Sequence, residues 1–155
     1  KVSGAMAGIA LIFYAAVILA IFKLWPVTLS LAGIGGFVLS LGMAVDANVL
    51  IFERMKEEIR AGRTLGAAIE AGFDRAWLAI RDSNITTLVS CAILIWIGGM
   101  VANGAPVRGF AITLAIGVVV SMFTAIVVTR ALLRLFVGTR IGQNPSLFSA
   151  RTGRK

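Results

Sequence analysis

The sequence predicts an all-α polytopic membrane bundle of four transmembrane helices plus a cytoplasmic amphipathic helix. Hydrophobic residues make up 59% of the chain and charged residues only 14%, against about 45–50% apolar in soluble domains. Mean hydropathy is +0.95. The apolar residues gather in windows of about 20, the length that crosses a hydrocarbon core as a helix. Lipid offers no partner to backbone N–H and C=O groups, which favours helices. The windows are too long and too evenly apolar for barrel strands.

The first span covers 5–24 and ends at Lys23, Trp25 and Pro26, a basic and aromatic interface anchor followed by a helix stop. A short turn over 25–30 leads to the second span, 31–52. The third covers 85–101 and the fourth 110–133, with the turn signal Asn103-Gly104-Ala105-Pro106 between them. The connection over 53–84 is patterned. Leu65, Ala68, Ile69, Gly72, Phe73, Ala76, Trp77 and Ile80 recur at steps of three and four, one apolar face of a helix over 64–80 with Thr64 as N-cap. That helix lies on the inner membrane surface, against the bundle, or on a cytoplasmic partner. The tail, 138–155, is basic and rich in turn formers, a poorly ordered segment able to touch anionic membrane lipids.

Charge sets the orientation. Arg54, Lys56, Arg60, Arg63, Arg75 and Arg81 fill the middle connection, and Arg134, Arg140, Arg151, Arg154 and Lys155 fill the tail. The remaining connections hold Lys23 and Arg108. The positive-inside rule places loop 53–84 and the tail in the cytoplasm of an inner (plasma) membrane protein. The net charge of +8 therefore reflects helix ends and not a nucleic-acid partner. The chain holds no histidine, so proton chemistry falls to carboxylates. Cys91, alone within a span, builds neither a disulfide nor a metal site. The chain opens Lys1-Val2-Ser3 and runs directly into a span, which reads as the C-terminal part of a longer protein.

Asp46 stands out. It sits inside an apolar window, where a carboxylate costs roughly 2.5–3.5 kcal/mol on insertion scales. Gly35, Gly42 and Asp46 share one helix face, and glycine there lets another helix approach. Asp46 is thus expected in a helix–helix contact, with Asn48, about 200° further round, facing a different neighbour. Gly109, Thr113, Gly117, Ser121 and Thr124 form a small-residue stripe on the fourth span. Ser83, Thr87, Ser90 and Cys91, overlapped by Asp82 and Thr86, form another on the third. These stripes are either ordinary tight packing or the lining of a polar seam. Asp46 either makes a structural hydrogen bond or handles protons, since burial favours its neutral form and water or a cation restores its charge.

The run Gly42-Met43-Ala44-Val45-Asp46-Ala47-Asn48-Val49-Leu50-Ile51-Phe52-Glu53-Arg54 closely resembles the signature of the SecD branch of the SecD/SecF family, within the RND-type transporter superfamily. Residues 68–76, 82–88 and 108–114 resemble that branch in the same order, so the likeness covers about 31–133, and the first span fits it too. The SecF branch carries a different, Asn-Asp-containing run followed by Val-Val-Phe-Asp-Arg. The resemblance implies a non-enzymatic subunit that works with SecF beside the SecYEG channel and uses the proton gradient to draw secreted polypeptides across the membrane. Protons are its coupling ion, with no other cofactor. It implies a proton path through Asp46, facing the partner half across a pseudo-two-fold interface, with Thr86, Thr87 and Asn48 completing it. The family's earlier spans and its large extracytoplasmic domain do not occur in this sequence, whose spans match the third to sixth of six. The rival readings are another RND-type exporter of lipids or small molecules, and a purely structural membrane module.

Overall fold

Four helices in the order α1 (Val2–Leu24), α2 (Leu31–Arg60), α3 (Leu65–Met100) and α4 (Ala105–Val137) form the chain. The structure, a computed structural model, describes residues 2–24 and 30–137, with side chains over 8–24 and 30–127 and at 130 and 131. Trp25 and Pro26 and the tail at 138–155 lie outside the described residues. No strand occurs among the described residues. Helices α2, α3 and Ala105–Val127 of α4 are long and apolar enough to cross a membrane, and Gly8–Leu24 of α1 is a shorter apolar stretch. Large side chains such as Ile12, Val38, Val89, Trp96 and Phe123 face outward. A soluble monomer rarely exposes so much contiguous apolar surface; lipid removes the penalty. The chain is a multi-pass membrane protein.

Helix α4 packs against α2 and α3, and α1 lies on α2 and α4. Small residues allow the close approaches. A Cβ on Gly36 would stand 2.7 Å from the carbonyl oxygen of Phe110. Gly117 lies directly against Ser40. There the buried hydroxyl of Tyr14 reaches Ser40 Oγ at 3.0 Å and Gly117 O at 3.1 Å. Ser40 donates its own proton to Phe37 O at 2.7 Å, so its oxygen is free to accept from Tyr14. One phenol thereby ties three helices together.

The helix expected over 64–80 and the span expected over 85–101 are one continuous helix, α3, 36 residues long. At 1.5 Å per residue it runs about 54 Å, against a hydrocarbon core of about 30 Å. Helix α2 likewise continues past Phe52 to Arg60. The charged end of α2 and the charged start of α3 therefore form a helical hairpin beyond the apolar layer. The amphipathic face at 65–80 is buried against α2: Ala76 and Ile80 pack with Ala47 and Ile51. A Cβ on Gly72 would lie 2.7 Å from the Met55 nitrogen. This contact explains the continuity, because α2 supplies the second wall that the apolar face needs. The fourth helix also starts earlier than expected, at Ala105.

The hairpin turn is a Schellman motif. Gly62 takes φ +89, Gly62 N donates to Ile59 O, and Arg63 N donates to Glu58 O. Thr64 stands at the N-cap of α3, but its side chain makes no cap hydrogen bond. Ser30 does cap α2, accepting from Gly33 N at 3.1 Å. Next to the turn, Glu58 is buried and is held by Arg63 Nε at 2.9 Å and Arg75 Nη1 at 2.9 Å.

Two stability predictions follow from the hairpin. Gly72→Ala should cost about 1–3 kcal/mol through collision with the α2 backbone, more than the gain of about 1 kcal/mol in helix propensity. A lower Tm of the detergent-solubilised protein would register it; an unchanged Tm would contradict the close contact. Arg63→Ala or Arg75→Ala alone should cost at most about 1 kcal/mol, since each guanidinium is more than half exposed and Glu58 keeps the other. The double variant strips a buried carboxylate of both counter-charges, so its loss should exceed the sum of the singles by about 0.5–3 kcal/mol in a double-mutant cycle.

Candidate functional site

Asp46 lies on α2 about 9 Å of helix before Phe52, where the apolar segment ends. Its side chain is exposed and lines a groove of about 280 Å³ between α2 and α3. Met43, Ala47 and Leu50 line the α2 side, and Ala79, Ile80, Ser83 and Asn84 the α3 side. Among the described residues the carboxylate has no hydrogen bond and no ion pair. An unpaired carboxylate at membrane depth is the arrangement that insertion energetics most disfavours.

The small-residue face beside Asp46 is open. Gly35 and Gly42 are exposed, and a Cβ on either would meet nothing within 4 Å. Among the described residues, no other helix of the chain makes the expected contact at Gly35 and Gly42, and at Asp46 α3 stands across the groove. The α2 face that does pack within the chain carries Gly33, Gly36, Ser40, Ala44, Ala47 and Ile51. Two small-residue faces run along α2, and the bundle uses the one without Asp46. On α4, Gly117 packs closely, Ser121 is buried and donates to Val118 O, and Gly109 faces Ser30 Oγ.

The other expected relay residues are placed elsewhere. Asn48 is buried at 4% exposure and does not line the groove. Thr86 donates to Asp82 O at 3.0 Å, and Thr87 to Ser83 O at 3.1 Å. These are back-bonds one turn down their own helix, and neither threonine lines the groove. Of the expected set, Asp46 alone stands there. Ser83 and Asn84 stand opposite it; Ser83 belongs to the stripe expected either to pack or to line a polar seam, and Asn84 was not expected as a site residue. Asn84 is 6% exposed, and its Nδ2 has no hydrogen-bond partner among the described residues. Leaving such a donor unpaired costs about 1–3 kcal/mol. The signal for Asn84 was its place four residues after Ile80, on the buried face of α3. The described residues hold no cluster of His, Cys, Asp or Glu suited to a metal ion. The arrangement can place polar groups or water around the Asp46 carboxylate.

The family "Protein export membrane protein SecD/SecF, C-terminal" matches residues 2–139. The chain is 64% identical over 152 residues to the "Protein translocase subunit SecD" of Dehalococcoides mccartyi (strain VS), covering 98% of this chain and 34% of that protein. The protein of the same name from Thermobaculum terrenum is 62% identical over 135 residues, 87% of this chain and 26% of its own length. That of Synechocystis sp. is 55% identical over 150 residues, 96% of this chain and 31% of its own length. The chain thus spans about a third or less of these relatives. With the family matching nearly the whole bundle and the Asp46 run lying inside the match, the chain belongs to the SecD/SecF family of protein export membrane proteins.

Proposed function

We propose that this bundle is the membrane part of a SecD-type subunit of the protein export machinery, and that Asp46 carries its coupling proton. The observation that carries this reading is an unpaired carboxylate at membrane depth beside an open glycine face. A structural carboxylate would have its partner within the bundle. Asp46 instead faces outward next to Gly35 and Gly42, a surface shaped to receive another helix. SecF is the partner proposed for that face, beside a SecYEG channel that conducts the secreted polypeptide. The export subunit named in the relatives favours this over a lipid or small-molecule exporter. No other cofactor and no catalytic step are proposed for the bundle.

The α2–α3 hairpin, with Arg54, Lys56, Arg60, Arg63, Arg75 and Arg81, is placed in the cytoplasm by its positive charge. Asp46 then lies nearer the cytoplasmic side. Protonation removes its charge, and the two protonation states favour different packings against the facing helix. A ligand shifts an equilibrium only by its differential interaction with the two states, and here the ligand is the proton.

Asp46→Asn fixes the neutral form and tests the reading. In inverted vesicles from cells carrying the full-length variant, the proton-gradient-dependent part of secretion should fall to the level seen without a gradient, at unchanged protein abundance. Secretion that keeps its gradient dependence would refute the relay, and loss of abundance instead would favour a structural module. Gly42→Leu should leave the Tm of the bundle unchanged and reduce co-purification of SecF, because its side chain fills a space that only the facing helix occupies.

A further inference from the structure

We propose that Asn84 is a positioning residue for Asp46: its side-chain amide donates to the Asp46 carboxylate, directly or across one groove water, when that carboxylate is charged. The inference rests on the reading that Asp46 changes protonation, and it adds a partner from within this chain. Asp46 and Asn84 line opposite walls of the same groove. Among the described residues, one is an acceptor without a donor, and the other is a donor without an acceptor. The groove, at about 280 Å³, has room for several waters at about 30 Å³ each. The Asn84 Nδ2 is itself shielded on the buried face of α3, so it reaches the Asp46 carboxylate or a groove water when the amide turns or α2 and α3 separate.

Among the described residues no other charged group competes for this role. On α3 the nearest are Arg81 and Asp82, which are exposed, pair with each other at 3.1 Å and do not line the groove. On α4 the sequence places no charged residue between Arg108 and Arg130, and on α1 none between residues 8 and 22. Ser83, the remaining polar side chain of the lining, is exposed and is the natural second contact for groove water.

A hydrogen bond to the charged form of a carboxyl group favours that form, and its removal favours the neutral form. A hydrophobic carbodiimide reacts with protonated carboxyl groups in membranes, so mass spectrometry of Asp46 labelling against pH reads this balance in the full-length protein in its native membrane. Asn84→Leu is near in volume and removes an unpaired amide, so the fold should tolerate it. It should raise the pH of half-labelling by about one unit, a tenfold rise in proton affinity. Asn84→Ala and Asn84→Ser supply a second comparison that differs by one hydroxyl, and the Ala variant should label to higher pH than the Ser variant. An unchanged half-labelling pH in Asn84→Leu, or equal values for Ala and Ser, would overturn the role of Asn84 while leaving the proton reading intact. An Asp46 whose labelling is independent of pH in every variant would overturn both.

Discussion

The contact of Gly72 with the α2 backbone at Met55 sets the geometry on which the groove depends. Once these two backbones touch, an antiparallel register follows one turn at a time. Gly72 meets Met55, and Ala76 and Ile80 join Ile51 and Ala47 in one apolar cluster. One turn further, Asn84 and Met43 line the groove together. Gly72, Ala76 and Ala47 are the small residues of this contact, and the groove opens at its end away from the hairpin, where Asp46, Ser83 and Asn84 stand. The Schellman turn and the two arginines on Glu58 close the hairpin end.

Much of this was legible from residue spacing, and what was not has physical reasons. The step of three and four from Leu65 to Ile80 is a helix signal that survives any packing, and that stretch is helical. Its continuation through Arg81-Asp82-Ser83 was not visible, because charge at that point reads as a helix end. A polar run inside a helix is stable if one side is held, and Ile80 and Asn84 stay on the α2 side throughout. The glycines of α2 posed a different difficulty. Gly36 and Gly42 have the same composition signal, yet Gly36 lies against Phe110 and Gly42 against nothing in the chain. Which face packs is decided by the neighbours' side chains, which spacing on one helix does not encode. For Thr86 and Thr87 the residue type was informative but the rotamer was not. Their hydroxyls satisfy carbonyls one turn back, the local choice that leaves no polar group facing lipid.

Tyr14 shows what a permanent polar group looks like inside this bundle. Its hydroxyl is fully buried, has two acceptors within 3.1 Å, and belongs to a chain of contacts that ends on the Phe37 carbonyl. Every member is satisfied. Polar groups built for stability in lipid should look like this, since the alternative is an unsatisfied group costing several kcal/mol. Asn84 does not look like this, and neither does Asp46.

Two carboxylates on one helix complete the contrast. Glu58 is buried, and its charge is balanced by Arg63 and Arg75, an ion-pair arrangement that helps hold the hairpin together. Asp46, three turns away, has no counter-charge among the described residues, so no ion pair within the bundle depends on its charge. The energies involved fit the proposed task. Placing the charge at membrane depth costs roughly 2.5–3.5 kcal/mol, and a proton crossing 100 mV of membrane potential releases about 2.3 kcal/mol. At 1.4 kcal/mol per tenfold, a difference of that size moves a two-state packing equilibrium roughly 100-fold. Under the proposed function, one proton on one carboxylate would supply a drive of that order, to the extent that the two docked arrangements hold the charge differently and provided that no cation in the same bundle neutralises the carboxylate first. The described residues meet that condition: no lysine or arginine lines the groove at Asp46, which offers a hydroxyl and an amide.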